Sequence, residues 1–302
     1  MPFIEEEFEI LKPTKALFFV RDILKCSLKE AQRHIDKERL KQAHKIVRKS
    51  QIIQGLVSLI YFKPNQNSQK LVFETKDFGV FDKLAQVYTH PKGYFYHESL
   101  LDCIQSHFGK NAHPAHRLDY ETSGLVLVGK TLQSTKDLKT LFMQKKVKKS
   151  YLALVHGKIT QSLCVNKPIL VPQNIQKDLR IRSCISPLGK LSMTLIEPLT
   201  YNSFLDTSLI RVTPLTGRTH QIRLHLSSVG HRIVGEGLYG VNDENAREYL
   251  RLKRENNAPL LMLHATSLEF EFKGARYRII SQMPERFLSF LVKKEILGKD
   301  CY

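Results

Sequence analysis

The stretch AHRLDYETSGLVLVGK, residues 115–130, sets Arg117 and Asp119 two apart, ahead of Thr122-Ser123-Gly124 and four apolar residues in succession. Leu125, Val126, Leu127 and Val128 offer no polar face, so the run reads as a strand buried on both sides. Asp119 then sits on a loop that this strand holds against the core, and such loops are where proteins place chemistry. A plainer reading stays open, because Asp119, Thr122, Ser123 and Gly124 are also good turn formers.

Composition narrows the function class. The chain has 302 residues, about two domains at roughly 150 each. At 42% hydrophobic it can build an ordinary core, and 47 Lys and Arg against 29 Asp and Glu leave a net charge of +18. That excess points to a polyanionic partner, either nucleic acid or a membrane surface. No apolar run approaches the roughly 18 residues of a membrane span. The start, MPFIEEEFEI, is acidic and lacks the basic-then-apolar order of a signal peptide. Five scattered cysteines without a CxxC pair suit a reducing cytoplasm and argue against a disulfide framework or a zinc ribbon.

Charge is concentrated near the front. Residues 12–63 hold 13 Lys or Arg and 4 Asp or Glu, half of the total excess. Leu17, Val20 and Leu24 recur at helical spacing, predicting a short helix over 15–24. Ser27 with Glu30 three residues on is a capping box at the start of a second helix. Leu28, Ala31 and Ile35 form its inner face, and Lys29, Arg33, Lys37, Arg39 and Lys41 crowd its outer side and C-terminal end. Two β-prone runs come next, at Ile46-Val47 and at 56–62. A solvated charged helix would explain the run, but one-sided charge favours phosphate binding. The stretch 64–70 is polar and turn-rich and reads as a linker. Beyond it, strand-like runs at Val72-Phe73, Phe78–Phe81, 151–156, 208–213 and 268–272 alternate with helical stretches. The body over 71–292 therefore reads as α+β with a mixed, largely antiparallel central sheet and flanking helices.

Three further features bear on chemistry. His113, His116 and Asp119 are spaced three and three, a metal-like interval on a helix, but Pro114 disfavours a helix there, and no metal is expected. Ser123 is not in a GxSxG elbow, and neither a phosphate loop nor a dinucleotide fingerprint occurs. The stretch PLTGRTHQIRLHLSSVGHRIVGEGLYG, 214–240, fits a helix better than a strand, with Thr219 near its N-cap and Gly230 as its C′ residue. Arg218 then precedes the helix and Arg223 lies in its first turns, either as surface phosphate contacts or as partners of a buried carboxylate. Finally KKSYLALVHGKI, 148–159, is a strand opened by Tyr151 behind a basic run.

HRLDYETSGLVLV, KKSYLALVHG and GRTHQIRLHLSSVGHRIVGEGLYG, in that order, resemble the RluA-type pseudouridine synthases. LVFETKDFGVFDK…THP and LMLHATSLEFEF are similar to that family's flanking segments, so the likeness covers roughly 70–290. The basic front, 12–63, resembles an S4 RNA-binding module, an arrangement common in the family.

The resemblance implies the pseudouridine synthase fold, a catalytic Asp119, a Tyr151 packed against the target base, and an Arg223 paired with the Asp. Arg117, Arg218, His220, Gln221, Arg33, Lys37 and Arg39 become candidate RNA contacts. It implies no cofactor, an RNA partner (23S ribosomal RNA ahead of transfer RNA), no obligate protein partner, and a monomer. Two departures stand out: Leu84-Ala85-Gln86 come after Lys83 where the family usually has Pro-x-Gly, and Glu236 comes after Gly235 where it usually has Asp. The rival readings are a non-catalytic ribosome-associated RNA-binding factor and an RNA glycosidase that uses Asp119 with water.

Overall fold

The computed structural model describes residues 3–62, 69–91, 99–171, 179, 181–288 and 290. The chain divides into two compact units, 1–68 with 90–107 and 69–89 with 108–302. Among the described residues no helix is long and apolar enough to cross a membrane.

The first unit runs β1 (Phe3–Lys15), α1 (Ala16–Leu24), α2 (Leu28–Asp36), β2 (Leu40–Gln42), β3 (Lys45–Ile46) and β4 (Ile52–Phe62). Its sheet has the order β1-β4-β2-β3 with every pairing antiparallel. These two helices pack on it through Phe19, Val20, Ala31 and Ile35, meeting Leu40, Ile53, Val57 and Leu59. The capping box forms: Ser27 N–H donates to Glu30 Oε2 at 2.9 Å while the serine side chain accepts from Glu30 N–H. The acidic start forms edge strand β1, whose Glu5, Glu6 and Glu9 face water while Ile10 is buried. Two expectations change. Leu28 is 47% exposed rather than on the inner face, because it opens the first turn. Arg39 is buried at 7% exposure beside His34, so it does not join Arg33 and Lys37 on the outer surface. Of the expected linker, residues 64–68 lie outside the described residues, and Lys70 already belongs to a strand.

The second unit is built on β5 (Lys70–Glu74), β6 (Phe78–Lys83), β7 (His113–Pro114), β8 (Ser123–Gly129), β9 (Lys148–His156), β10 (Leu163–Asn166), β13 (Met193–Asn202), β14 (Thr207–Pro214), β15 (Leu263–Phe272) and β16 (Ala275–Ile280). A separate hairpin pairs β11 (Ile169–Leu170) with β12 (Cys184–Ile185). The main path is β10-β13-β14-β9-β15-β8-β6-β5, with β16 on β15 and β7 on β8. Among the described strands β15 with β8 is the one parallel pairing, so the α+β, largely antiparallel reading is borne out. Its helices are α4 (Leu132–Met143), α5 (Gln221–Ser227) and α6 (Asp243–Arg254), whereas α3 (Leu100–Phe108) falls in the first unit up to His107.

Strand β8 is buried at every position, as four consecutive apolar residues require. Phe78, Leu125, Leu127, Leu138, Leu268 and Phe270 pack around it as one core. Gly124 has φ +113°, and a Cβ there would lie 2.2 Å from the Ala265 carbonyl oxygen. Only glycine permits that approach, which is where β8 and β15 run parallel. Thr122-Ser123-Gly124 is thus fixed by backbone contact, and the loop before it inherits that rigidity.

Candidate active site

Asp119 lies on the loop between β7 and β8, and the loop backbone is pinned on three sides. Thr122 N–H donates to the Asp119 carbonyl at 3.1 Å. The Thr89 hydroxyl donates to the Leu118 carbonyl at 3.0 Å and accepts from Leu118 N–H at 3.2 Å. Lys83, fully buried, donates through Nζ to the carbonyls of Leu84, Val87 and Tyr120 at 2.9, 2.8 and 3.4 Å. The Asp119 side chain itself remains 23% exposed, with its Oδ1 4.0 Å from His220 Nε2. Burial lowers the His220 pKa, so that imidazole approaches the carboxylate neutral.

Tyr151 stands on the central strand β9, flanked in register by Val212 and Ala265. Burial and the nearby Asp119 charge both raise its phenol pKa, so it is a protonated, apolar-faced ring at neutral pH. Asp119, Tyr151 and Arg223 line one cavity of about 1130 Å³, together with Arg117, Arg218, His220 and Gln221.

The expected Asp119–Arg223 pair does not form. Arg223 projects from α5 with no exposed side-chain surface, and its fork grips Glu236, Nε to Oε2 at 2.5 Å and Nη2 to Oε1 at 2.8 Å. Its Nη1 donates to Glu121 Oε2 at 3.2 Å. The reason is local: Gly235, at φ +83° and packed on the Leu260 carbonyl, turns the chain so that Glu236 meets the guanidinium edge. Leu238 N–H then donates to Glu236 Oε1 at 2.7 Å. Glu121 is shared, with Lys253 of α6 forming a second ion pair to it. Burial opposes ionisation of Glu121, but Arg223 and Lys253 outweigh it and hold its pKa at about 2. Arg223 therefore belongs to a buried four-charge cluster with Glu236, Glu121 and Lys253 while also lining the Asp119 cavity.

A helix forms here, but it runs from 221 to 227: its N-cap is His220 in a left-handed conformation (φ 54°), not Thr219, and its C-cap is Ser228, so Gly230 lies past the C′ position expected of it. His220 is held there by a 2.8 Å contact between Nδ1 and the Tyr239 hydroxyl. Gln221 was a candidate RNA contact, yet its amide is spent internally. Its Oε1 accepts from Thr216 Oγ1 and Arg218 N–H, and its Nε2 donates to Met193 O and Thr194 Oγ1. Arg117 and Arg218 are exposed on the cavity wall, and Arg218 rests its guanidinium on the Leu191 carbonyl at 3.3 Å. His113 opens strand β7, and His116 accepts from Leu127 N–H at 3.1 Å with its pKa lowered to about 3 by burial. Ser123 is buried and does not line this cavity; its hydroxyl is held between His264 and Arg286.

Glu121, Lys253 and Tyr239 were not read from sequence. Glu121 had a signal, standing two residues after Asp119; Lys253 had none, 132 positions away from the carboxylate it pairs with.

Residues 77–228 match the family model described as RNA pseudouridylate synthase. An uncharacterized RNA pseudouridine synthase of Helicobacter pylori (strain J99) is 82% identical over 291 residues, 96% of this chain and 99% of that protein. The ribosomal large subunit pseudouridine synthase D of Nitrosomonas europaea is 34% identical, over 66% of this chain and 57% of its own length. The tRNA pseudouridine(31) synthase of Saccharomyces cerevisiae is 30% identical, over 56% of this chain and 46% of its own length. Among solved structures, human RNA Pseudouridylate Synthase Domain Containing 1 is similar with a TM-score of 0.58 at 25% identity, covering 74% of this chain and 87% of that one. A rigid loop presenting Asp119 to a basic cavity floored by Tyr151 agrees with these likenesses and with the sequence motifs, and the chain belongs to the RNA pseudouridylate synthase family.

Proposed function

We propose that this isomerase acts on uridines of large-subunit ribosomal RNA, with Asp119 as the reacting carboxylate and Tyr151 against the base. The observation that carries the reading is that the exposed edge of Asp119 opens into the same cavity as Tyr151, and that Arg223 on the wall of that cavity is held by Glu236 and Glu121. The reaction breaks the N1–C1′ bond of a uridine and forms a C5–C1′ bond; the C5 proton leaves and N1 gains one. A stacked base cannot present those atoms, so the nucleotide must be flipped out at a cost of a few kcal/mol. Backbone contacts from a chain of net charge +18 help offset that cost. The residues 12–63 act as an S4-like RNA-binding module ahead of a catalytic domain at 71–292, and Arg33 and Lys37 give it an exposed basic face. The choice of ribosomal RNA is supported by that module and by the ribosomal activity that the Nitrosomonas relative is named for. On this reading the protein works in the cytoplasm as a monomer.

RNA labelled with tritium at uridine C5 tests the chemistry. Wild type should release tritium to water, and Asp119→Asn, nearly isosteric and without the anionic oxygen, should release it only at background. RNA affinity of the variant should stay within about tenfold. Wild-type release from the Asn variant would remove Asp119 from the reaction, and free uracil among the products would replace isomerisation by glycosidase chemistry. Comparing pseudouridines in total RNA with and without the gene assigns the RNA, and a missing site confined to transfer RNA would overturn the ribosomal choice.

A further inference from the structure

Lys149 and Tyr151 stand two residues apart on β9, so they project from the same face about 7 Å apart along the strand. Both line the Asp119 cavity. Lys149 is half-buried, and its ammonium lies against Gly217, where a Cβ would stand 3.6 Å from Nζ. Among the described residues no hydrogen bond or ion pair reaches it. Burial lowers its pKa, and no neighbouring carboxylate offsets that effect.

Other buried cations of this unit are compensated: Arg223 by Glu236 and Glu121, Lys253 by Glu121, Lys83 by three carbonyls. A desolvated cation without an anion costs free energy, so its retention on a cavity wall calls for an anion supplied from outside. Gly217 leaves the space in front of the ammonium open, since it carries no side chain. The same wall carries Arg117, Lys145, Lys148 and Arg218, which draw a polyanion to it.

We propose that Lys149 binds a phosphate of the nucleotide whose base faces Tyr151, and so sets how far the ribose enters towards Asp119. Standing on the same face of one strand and lining one cavity, the ammonium and the ring can meet the phosphate and the base of one nucleotide. The inference rests on the reading that an RNA uridine occupies this cavity. Lys149 is then a substrate-positioning residue acting on charge, one step removed from the bonds that change.

Two variants of the full chain test it. Lys149→Met keeps the stem and loses the charge, and Lys149→Arg keeps the charge. The probe is a fluorescein-labelled heptamer of uridine, bound at salt concentrations from about 50 to 200 mM. For Lys149→Met the slope of log affinity against log salt should fall by about 0.7, one phosphate on a single strand, while Lys149→Arg keeps the wild-type slope. On C5-tritiated RNA the Met variant should lose roughly tenfold to a hundredfold in kcat/KM, most of it restored by Arg. An unchanged slope in Lys149→Met overturns the proposal, and so do equal losses in both variants, which would make Lys149 a shape element only. If the slope falls as expected but wild type releases no tritium, the phosphate site stands and the isomerase reading of the cavity falls instead.

Discussion

The cluster around Arg223 makes a quantitative demand on Glu236. Arg223 and Glu236 are both without exposed side-chain surface, joined by two hydrogen bonds of 2.5 and 2.8 Å. With Lys253 and Glu121 the cluster is neutral, two cations against two carboxylates. Glu236→Gln keeps the shape but leaves a net positive charge in the interior. Removing one partner of a buried pair costs about 3–5 kcal/mol, because the other charge is stranded. At about 2–4 °C per kcal/mol for a unit of this size, the melting temperature should fall by roughly 10 °C. Asp119→Asn is the internal control: that side chain is 23% exposed, its ion-pair contact within 4.0 Å among the described residues is the His220 imidazole, which burial keeps neutral, and Arg223 and Lys83 act on it only through space. It forfeits no ion pair and should stay within about 0.5 kcal/mol of wild type. Thermal melts of the full chain at pH 7, monitored by near-ultraviolet circular dichroism, compare the two. Glu236→Asp, which keeps the charge, should lie between them. If Glu236→Gln and Asp119→Asn melt within about 2 °C of each other, the buried cluster is not what fixes this region.

Acid should expose the same cluster. The Glu121 pKa is depressed from an ordinary 4.5 to about 2, so its stabilisation is fully present above pH 4.5 and is lost as pH falls towards 2. That window is worth about 3 kcal/mol, and Glu121→Gln should lower stability at pH 7 while flattening its loss in acid; a parallel loss in both proteins would refute it. In the first unit, Arg33→Gln with Lys37→Gln should lower the salt slope of RNA binding by about 1.4 to 1.8, whereas Arg39→Gln, at a buried site, should lower stability and leave that slope alone. Equal slopes for the double variant and wild type would remove those two side chains from the RNA surface.

Local pattern determined a good deal of this protein. The apolar run at 125–128 becomes a strand buried at every position, because consecutive apolar residues can be satisfied only inside a sheet covered on both faces. The Ser27–Glu30 box and the helical pattern after Thr219 likewise act through neighbours within one or two turns, and both helices form, the second ending at Ser227. Asp119 and Tyr151 were legible as motif residues, and they share one cavity. What tertiary structure decided was who pairs with whom. Arg223 and Asp119 carry opposite charges and line one cavity, yet Glu236, 13 residues from the arginine, wins the guanidinium because the Gly235 turn aims it squarely at the fork. Glu121 and Lys253 meet across 132 residues through a helix whose docking no short-range pattern encodes. Gln221 and Arg39 look like free polar side chains in one dimension and are drawn inside in three. A buried charge takes the partner whose backbone delivers it at hydrogen-bond distance, and that distance is set by the fold.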